Sequence, residues 1–319
     1  MTTPRSQQID LAVTPYYHCV SRCVRRSFLC GEDAVSGRSY EHRRDWLEQR
    51  ILKLANIYCI DICAYAVMTN HYHLVLHINR PKAQSLTDQQ VIERWQQEHR
   101  LPLLLQRYIK RQCTCTAEFK RCQHIIQQWR ERLCSLSWMM KELNFEIAVQ
   151  ANREDGCTGH FWEGRFKSQA LLDEAALLAA MTYVDLNPVR AKMAKTPETS
   201  EYTSLKKRLD ALEKNQPTPH NLYPFTGYEH QEQPDGIPFR LTDYIGWVDF
   251  AGRQIRADKR GWIDERQPTI LTRLSLSQSE ILKIIANLER RRCLWIGSTA
   301  RLTSAKQFFN KTRIDGLRI

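Results

Sequence analysis

Two histidines at alternate positions are the first residues in this sequence that could do chemistry. His71 and His73 lie in a stretch, residues 68–77, where β-branched and aromatic residues alternate with polar ones, which predicts a β-strand. Residues two apart on a strand point to the same face, so the two imidazoles lie side by side on rigid backbone. Neutral imidazole is a common metal ligand, and the pair supplies half of a metal site. Taken alone, the pair also fits two ordinary hydrogen-bonded or solvent-facing histidines.

A tyrosine and an asparagine about a hundred residues later form a second candidate group. Asp173 can cap a helix that runs to about residue 186, with Glu174 in its first turn. Pro188 disfavours helical geometry at Asn187, so the helix is predicted to bend or end there. Tyr183 and Asn187 are four residues apart and share a face if the last turn holds. The alternative interpretation of Asn187 before a proline is a simple helix stop.

The loop at residues 156–167 interleaves glycines, aromatic rings and cations. Stacking faces combined with positive charge suit single-stranded nucleic acid. The alternative is that Phe161 and Trp162 pack on the sheet and never meet a base.

The elements that position these residues follow a recognisable order. The pattern predicts a strand at 15–24, a helix at 40–56, strands at 58–68 and 71–77, a helix at 136–149 and a strand at 167–172. This strand-helix-strand-strand-helix-strand order is ferredoxin-like, so we expect an α+β fold with an antiparallel sheet. Residues 80–135 interrupt it as a helical insertion. Its Cys and His residues do not follow a standard zinc-ribbon spacing, so we expect free thiols there.

Composition indicates a polyanionic partner. The 319 residues carry a formal net charge of +12, which points most simply to nucleic acid, although a merely basic enzyme has the same composition. The 11 cysteines form no disulfide-like framework and are expected to be reduced, in a cytoplasmic protein. Residues 1–13 look like a loose leader without a secretory signal, and no apolar run approaches the ~20 residues that a membrane span needs.

The last third of the chain is predicted to contain a Pro-rich linker at 206–238 and a basic module at 239–319. The module has 16 Lys and Arg against 8 Asp and Glu. A capping box that starts at Ser277 opens a predicted amphipathic helix over 281–292. We interpret the module as a second DNA-contacting surface. The alternative is a helical cap packed on the first domain, with a solvated basic face.

Four short motifs, in order, carry a family resemblance. They are YYHCVSR at 16–22, MTNHYHL at 68–74, GHFWEGRFKS at 159–168 and YVDLNPVRA at 183–191. The chain resembles the REP-associated tyrosine transposases, a branch of the single-tyrosine HUH transposases of the insertion-sequence type. The resemblance covers about residues 14–80 and 136–205.

The resemblance implies an HUH nuclease domain at 14–205 that nicks single-stranded DNA and transfers strands. It implies that His71 and His73 hold Mg²⁺ or Mn²⁺, of which Mn²⁺ is the better chemical match for imidazole, and that Asn187 is a third, amide-type ligand. Tyr183 would be the nucleophile that forms a 5′-phosphotyrosine and frees a 3′-OH. The implied partners are hairpins of short palindromic repeats, bound by a monomer or homodimer in the cytoplasm at the nucleoid.

Several cations near these motifs are candidate DNA contacts: Arg22, Arg165, Lys167 and Arg190. His18, on the first strand, could contact phosphate or support a ligand, and the alternative is a structural histidine. Two other functions stay open. One is a zinc-dependent hydrolase that uses the histidine pair, with Tyr183 incidental. The other is a non-catalytic hairpin-binding protein with the same fold.

Overall fold

A six-stranded sheet with helices on both faces forms the centre of the molecule. The computed structural model describes residues 8–24, 29–33, 37–227, 235–255, 293–309 and 315–318, and single positions at 277, 279, 280, 282, 285, 287, 288 and 311. The strands are β1 (Tyr16–Arg22), β2 (Ile60–Val67), β3 (His71–Ile78), β4 (Lys167–Leu171), β5 (Trp295–Gly297) and β6 (Gly316–Arg318).

The helices of the described residues connect and cover these strands. They are α1 (His42–Ile57), α2 (Arg80–Ser85), α3 (Asp88–Trp95), α4 (Leu103–Ile109), α5 (Thr116–Leu133), α6 (Leu136–Glu154), α7 (Glu174–Asp185), α8 (Asn187–Arg190), α9 (Ser204–Glu213), α10 (Leu241–Ile255) and α11 (Thr299–Phe308). In this part of the chain, no helix is both long enough and apolar enough to cross a membrane.

The sheet is mixed, which corrects the prediction of a purely antiparallel one. Its order is β2-β3-β1-β4-β5-β6. The first four strands are antiparallel to their neighbours, whereas β5 and β6 add to β4 in parallel. The prediction missed β5 and β6 because three residues are too few to show a period of two. The fold is therefore mixed α and β, compatible with the α+β class.

Alternate side chains of β3 enter two different cores. Tyr72, Leu74 and Leu76 pack in a core with α1 and α6, and Val75 packs in another with α7. Asn144 of α6 ties the first core to the sheet, because its side chain accepts a hydrogen bond from Tyr72 Oη at 2.6 Å and donates one to Ser21 at 3.0 Å. One face of β3 is thus closed by apolar packing, while the other carries the histidines.

The insertion at 80–135 is helical, as predicted, and forms α2 to α5. Trp95 and Trp129 stack with their ring centroids 5.4 Å apart and join the core that contains α1 and α6. All 11 cysteines of the chain are free thiols. Within the described ranges, no group of three or more His, Cys, Asp or Glu side chains could hold a metal ion.

The C-terminal third packs on the same sheet in its described parts. In the predicted linker, the backbone N–H of Tyr223 donates to the carbonyl of Ile62 at 2.8 Å, and Arg208 is buried. Trp247 of α10 and Trp295 of β5 are fully buried. The division into domain, linker and module stays a prediction, but these contacts run across it. Proline breaks helices and strands without preventing a segment from packing.

The predicted capping box is formed at Ser277. Its backbone N–H donates to the Glu280 carboxylate at 2.8 Å, and the Glu280 N–H donates to the Ser277 hydroxyl at 3.3 Å. Most of the helix predicted at 281–292 lies outside the described residues.

Helix α10 holds α7 by two buried hydrogen bonds. Tyr244 Oη donates to Asp185 Oδ2 at 2.6 Å, and Trp247 Nε1 donates to the hydroxyl of Thr182 at 3.0 Å. Both acceptors lie in the last turn of α7, so α10 fixes the end of that helix.

Replacing Tyr244 by Phe leaves a buried Asp185 oxygen without its donor. We expect Tyr244→Phe to lower the free energy of unfolding by about 1–3 kcal/mol. Tyr202→Phe is the matched control, because the Tyr202 hydroxyl has no hydrogen-bond partner within the described residues, and its effect should stay below about 0.5 kcal/mol. Urea unfolding of the three proteins measures the difference. Equal stabilities would contradict this account of α10.

Candidate active site

Two neighbouring strands, β1 and β3, bring three histidines to one face of the sheet. In the β1–β3 register, Val20 lies opposite His73 and His18 opposite Val75. His18 and His73 are therefore diagonal neighbours on the same face, within reach of one another's rings. His71 lies two residues before His73 on β3, so its side chain points to the same face.

The imidazoles form a connected group. His18 Nε2 lies 3.0 Å from His73 Nδ1, and the two rings stack with centroids 5.2 Å apart. The rings of His71 and His73 meet edge to face at 4.8 Å. His71 Nδ1 lies 2.6 Å from Asn70 Oδ1, which can only accept, so the His71 N–H is on Nδ1.

His18 is not placed as a DNA contact, and this corrects the sequence assignment. It is only 2% exposed, and both of its ring nitrogens have partners inside the protein. One partner is His73, and the other is Gln169 Oε1, 2.7 Å from His18 Nδ1. The structure instead supports the alternative of a histidine that holds a neighbouring side chain.

Burial keeps these imidazoles neutral. Desolvation lowers the pKa of His18 to about 4. Desolvation and, second, the Arg22 charge lower the pKa of His71 to about 4. The pKa of His73 lies well below its usual value, first through burial and then through His71. Neutral imidazole is the form that binds a metal ion.

Two buried polar atoms have no hydrogen-bond partner among the residues that the structure describes: His73 Nε2 and Asn187 Nδ2. Such orphan atoms are rare in folded proteins and call for an explanation, for example a ligand. A bare His73 Nε2 can give a lone pair to a divalent ion, whereas Asn187 Nδ2 is an N–H donor, so Asn187 could ligate an ion only through its Oδ1. His71, His73 and Asn187 Oδ1 are thus the groups that would hold the divalent ion that the resemblance implies.

Tyr183 packs directly on the histidines. Its ring centroid lies 5.4 Å from that of His73 and 5.9 Å from that of His18, edge to face in both cases. The Arg190 guanidinium lies over the same ring, 4.9 Å from its centroid. Tyr183 is 4% exposed, so most of its side chain is covered in this structure.

The backbone around Tyr183 behaves as the sequence predicted. Asp173 caps α7, with its Oδ1 accepting from the N–H of Ala176 at 2.9 Å. The helix ends after Asp185, and α8 starts anew at Asn187, with Pro188 in its first turn, where proline is tolerated. Burial raises the pKa of Asp185 to about 6, against the hydrogen bonds from Tyr244 and Ser204 that favour the carboxylate.

The predicted cations are distributed unevenly around the site. Arg22 is exposed and lies opposite His71 in the β1–β3 register. Lys167, at the start of β4, is exposed on the other side of β1. Both charges act on His71. Arg190 lies over Tyr183. Arg165 is exposed on the loop that precedes β4, so exposure alone supports its assignment.

The aromatic residues of that loop pack inward, as the alternative prediction had it. Phe161 is 2% exposed. The indole of Trp162 lies edge to face with Tyr72 at 5.7 Å and donates to the carbonyl of Asn144 at 2.7 Å. Stacking on bases by Phe161 does not fit this arrangement.

Sequence reasoning missed Gln169, Asn70 and the α10 residues that hold α7. Strand parity puts Gln169 on the same face as Lys167, two residues earlier. Its position directly opposite His18 depends on the β1–β4 register, which the sequence does not contain. Asn70 was assigned to a turn, although its side chain fixes His71.

Comparisons with known proteins add little to this geometry. No family model matches the sequence, and no curated protein matches it. The structure is similar to a solved chain described as a REP-associated tyrosine transposase bound to a REP hairpin, with a TM-score of 0.35 and 14% sequence identity, over 70% of this chain and 89% of that chain. A likeness of that size does not by itself assign a fold or a function.

Proposed function

We propose that this protein is a single-strand DNA endonuclease and strand transferase of the HUH single-tyrosine type. The observation that carries the proposal is the contact of Tyr183 with the histidine cluster, 5.4 Å between the ring centroids of Tyr183 and His73. Residues from a strand and a distant helix meet there, as the four sequence motifs require.

The strand arrangement supports the same proposal. In the order β2-β3-β1-β4, all neighbours are antiparallel, and α1 and α6 lie in the two crossovers of the β-α-β-β-α-β sequence. This arrangement supports the ferredoxin-like fold that we propose for the first four strands. Strands β5 and β6 extend it at one edge without changing the order of the first four.

The proposed substrate is a hairpin formed by a palindromic repeat. The motif resemblance implies it, and the net charge of +12 suits a phosphate backbone. The solved chain mentioned above is described as bound to a REP hairpin, and we extend that partner to this chain as part of the proposal. We further propose that the protein acts in the cytoplasm, at the nucleoid.

The proposed reaction conserves phosphodiester bonds. The phenol oxygen of Tyr183 bonds to phosphorus while the P–O3′ bond breaks, and the proton lost by the phenol balances the one gained by the 3′ oxygen. A 3′-OH can reverse the step, so strand transfer needs no ATP. His71, His73 and Asn187 would hold Mg²⁺ or Mn²⁺, which when bound polarises the phosphate and offsets its developing charge.

A non-catalytic hairpin-binding protein is the second candidate function. The observation that favours it is the burial of Tyr183, whose side chain is covered in this structure. The zinc hydrolase has less support. Catalytic zinc sites use three protein ligands from His, Cys, Asp and Glu, whereas the third ligand proposed beside His71 and His73 is the amide of Asn187.

Tyr183→Phe separates the three functions. It removes the attacking oxygen and keeps the ring that packs on His73, so we expect complete loss of the covalent protein–DNA adduct with hairpin affinity unchanged within about threefold. Labelled single-stranded hairpins incubated with Mn²⁺ and run on denaturing gels measure the adduct. Tyr202→Phe is the matched control and should form it normally.

Other outcomes of that experiment support other functions. Binding of the hairpin by the unmodified protein, with no nick and no adduct, would indicate the non-catalytic protein. Nicking that persists in Tyr183→Phe and requires zinc would indicate the hydrolase.

Arg22 and Lys167 are expected to contact phosphate beside His71. Each Ala substitution should weaken binding and reduce the slope of log K against log salt by about 0.7, the value for one phosphate contact to a single strand. Fluorescence anisotropy across a salt series gives the slope. Unchanged slopes for both variants would remove these residues from the interface.

The basic C-terminal residues are tested in the same assay. Deleting residues 236–319 would remove Trp247 and Trp295 from the core, so point changes are the sharper tool. Arg301 and Lys306 are exposed on α11. If this segment contacts the hairpin stem, the slope of log K against log salt should also fall in Arg301→Ala and in Lys306→Ala. Slopes equal to that of the unmodified protein would contradict such a contact.

A further inference from the structure

A line of hydrogen bonds runs from the C-terminal segment to the histidine pair. Gln169 Nε2 lies 3.0 Å from the backbone carbonyl oxygen of Cys293, just before β5. Gln169 Oε1 lies 2.7 Å from His18 Nδ1, and His18 Nε2 lies 3.0 Å from His73 Nδ1. The line ends at His73 Nε2, which is buried and has no hydrogen-bond partner in the described part of the chain.

Each bond in this line has a direction that chemistry fixes. A backbone carbonyl only accepts, so Gln169 must turn its NH₂ group to Cys293 and its oxygen to His18. That oxygen also only accepts, so His18 donates from Nδ1. A neutral imidazole has one N–H, and His18 therefore accepts at Nε2. His73 must then donate from Nδ1, which leaves the lone pair on its Nε2.

We infer that Gln169 and His18 are positioning residues that hold His73 as its Nδ1–H tautomer, with Nε2 presented as an electron-pair donor. The inference rests on the proposed function for the use of that lone pair, which is to bind the divalent ion. Histidine ligands in metal sites commonly donate their other N–H to a partner that fixes ring and tautomer. Here the partner is a second imidazole, anchored through Gln169 to the C-terminal segment.

The arrangement also gives the two metal-ligating histidines the same tautomer by different means. Asn70 Oδ1 accepts from His71 Nδ1, and His18 accepts from His73 Nδ1. Both Nε2 atoms are left to act as ligands. The residues before β5 thus take part in preparing a site that lies on β3.

Histidine tautomers can be read directly in the metal-free protein. In ¹⁵N-histidine-labelled full-length protein, two-bond ¹H–¹⁵N correlations distinguish a protonated ring nitrogen from a bare one. We expect His73 to show a protonated Nδ1 and a bare Nε2, with signals assigned from the spectrum of His73→Asn. A protonated Nε2 on His73 in the unmodified protein would overturn the inference, whether or not any variant folds.

Two substitutions at one position test the role of Gln169. Gln169→Met has similar length but no acceptor, so His73 should show a mixture of tautomers, and Mn²⁺ affinity measured by calorimetry should fall about 10-fold or more. Gln169→Glu keeps a side-chain oxygen that can accept from His18 Nδ1, so His73 should keep the Nδ1–H form.

His77 is the internal control, because it lies on the same strand and bonds to Asp61 through Nδ1 at 3.1 Å, outside this line. Its tautomer should not respond to changes at Gln169. An unchanged His73 tautomer in Gln169→Met would overturn the role of Gln169. These spectra are independent of DNA cleavage, so the expected tautomers together with an absent adduct would reject the proposed function and leave the positioning role standing.

Discussion

The hydrogen bond between His18 and His73 depends on the position of β1 between β3 and β4. On one side, the β1–β3 register sets the two imidazoles diagonally to each other, and on the other side the β1–β4 register puts Gln169 opposite His18. A shift of one residue in either pairing would turn these side chains to the opposite face, where α1 and α6 pack on an apolar surface. The apolar core under Tyr72, Leu74 and Leu76 therefore fixes the register that the polar site needs.

A second constraint comes from the helix that carries Tyr183. Helix α7 is almost entirely buried between the sheet and α10, and side chains on either side of Tyr183, Thr182 and Asp185, are bonded to α10. The tyrosine ring is held against His73 by these contacts together with its own packing. The position of the phenol thus depends on residues some sixty positions further along the chain.

These two constraints explain which features the sequence could predict. Local patterns predicted β1 to β4, the helices between them, the Asp173 cap and the break at Pro188, because each depends on neighbours in the chain. The alternation of His71 and His73 predicted their shared face for the same reason. The family resemblance implied that Tyr183 would meet them, and the structure places its ring against that of His73.

The remaining features depend on contacts between distant segments. Strands β5 and β6 are three residues each and form by pairing, β5 with β4 and β6 with β5, so no local period predicts them. Gln169 reaches His18 only because β4 pairs with β1. The buried state of His18 follows from the sheet packing around it, whereas its position on the first strand beside the presumed site suggested a phosphate contact. Composition identified a proline-rich segment and a basic segment in the C-terminal third but did not predict that their described parts pack on the sheet.

The most direct test of the central claim is to locate bound Mn²⁺ by its paramagnetic broadening of tyrosine ring signals. The chain has 12 tyrosines. If the ion binds at the histidine pair, Tyr183 broadens first as Mn²⁺ is added, and His73→Ala abolishes the effect. The account is contradicted if Tyr183 stays sharp while Tyr16 and Tyr223 broaden, since those rings pack on His77 at 4.8 and 4.7 Å, at the other end of β3.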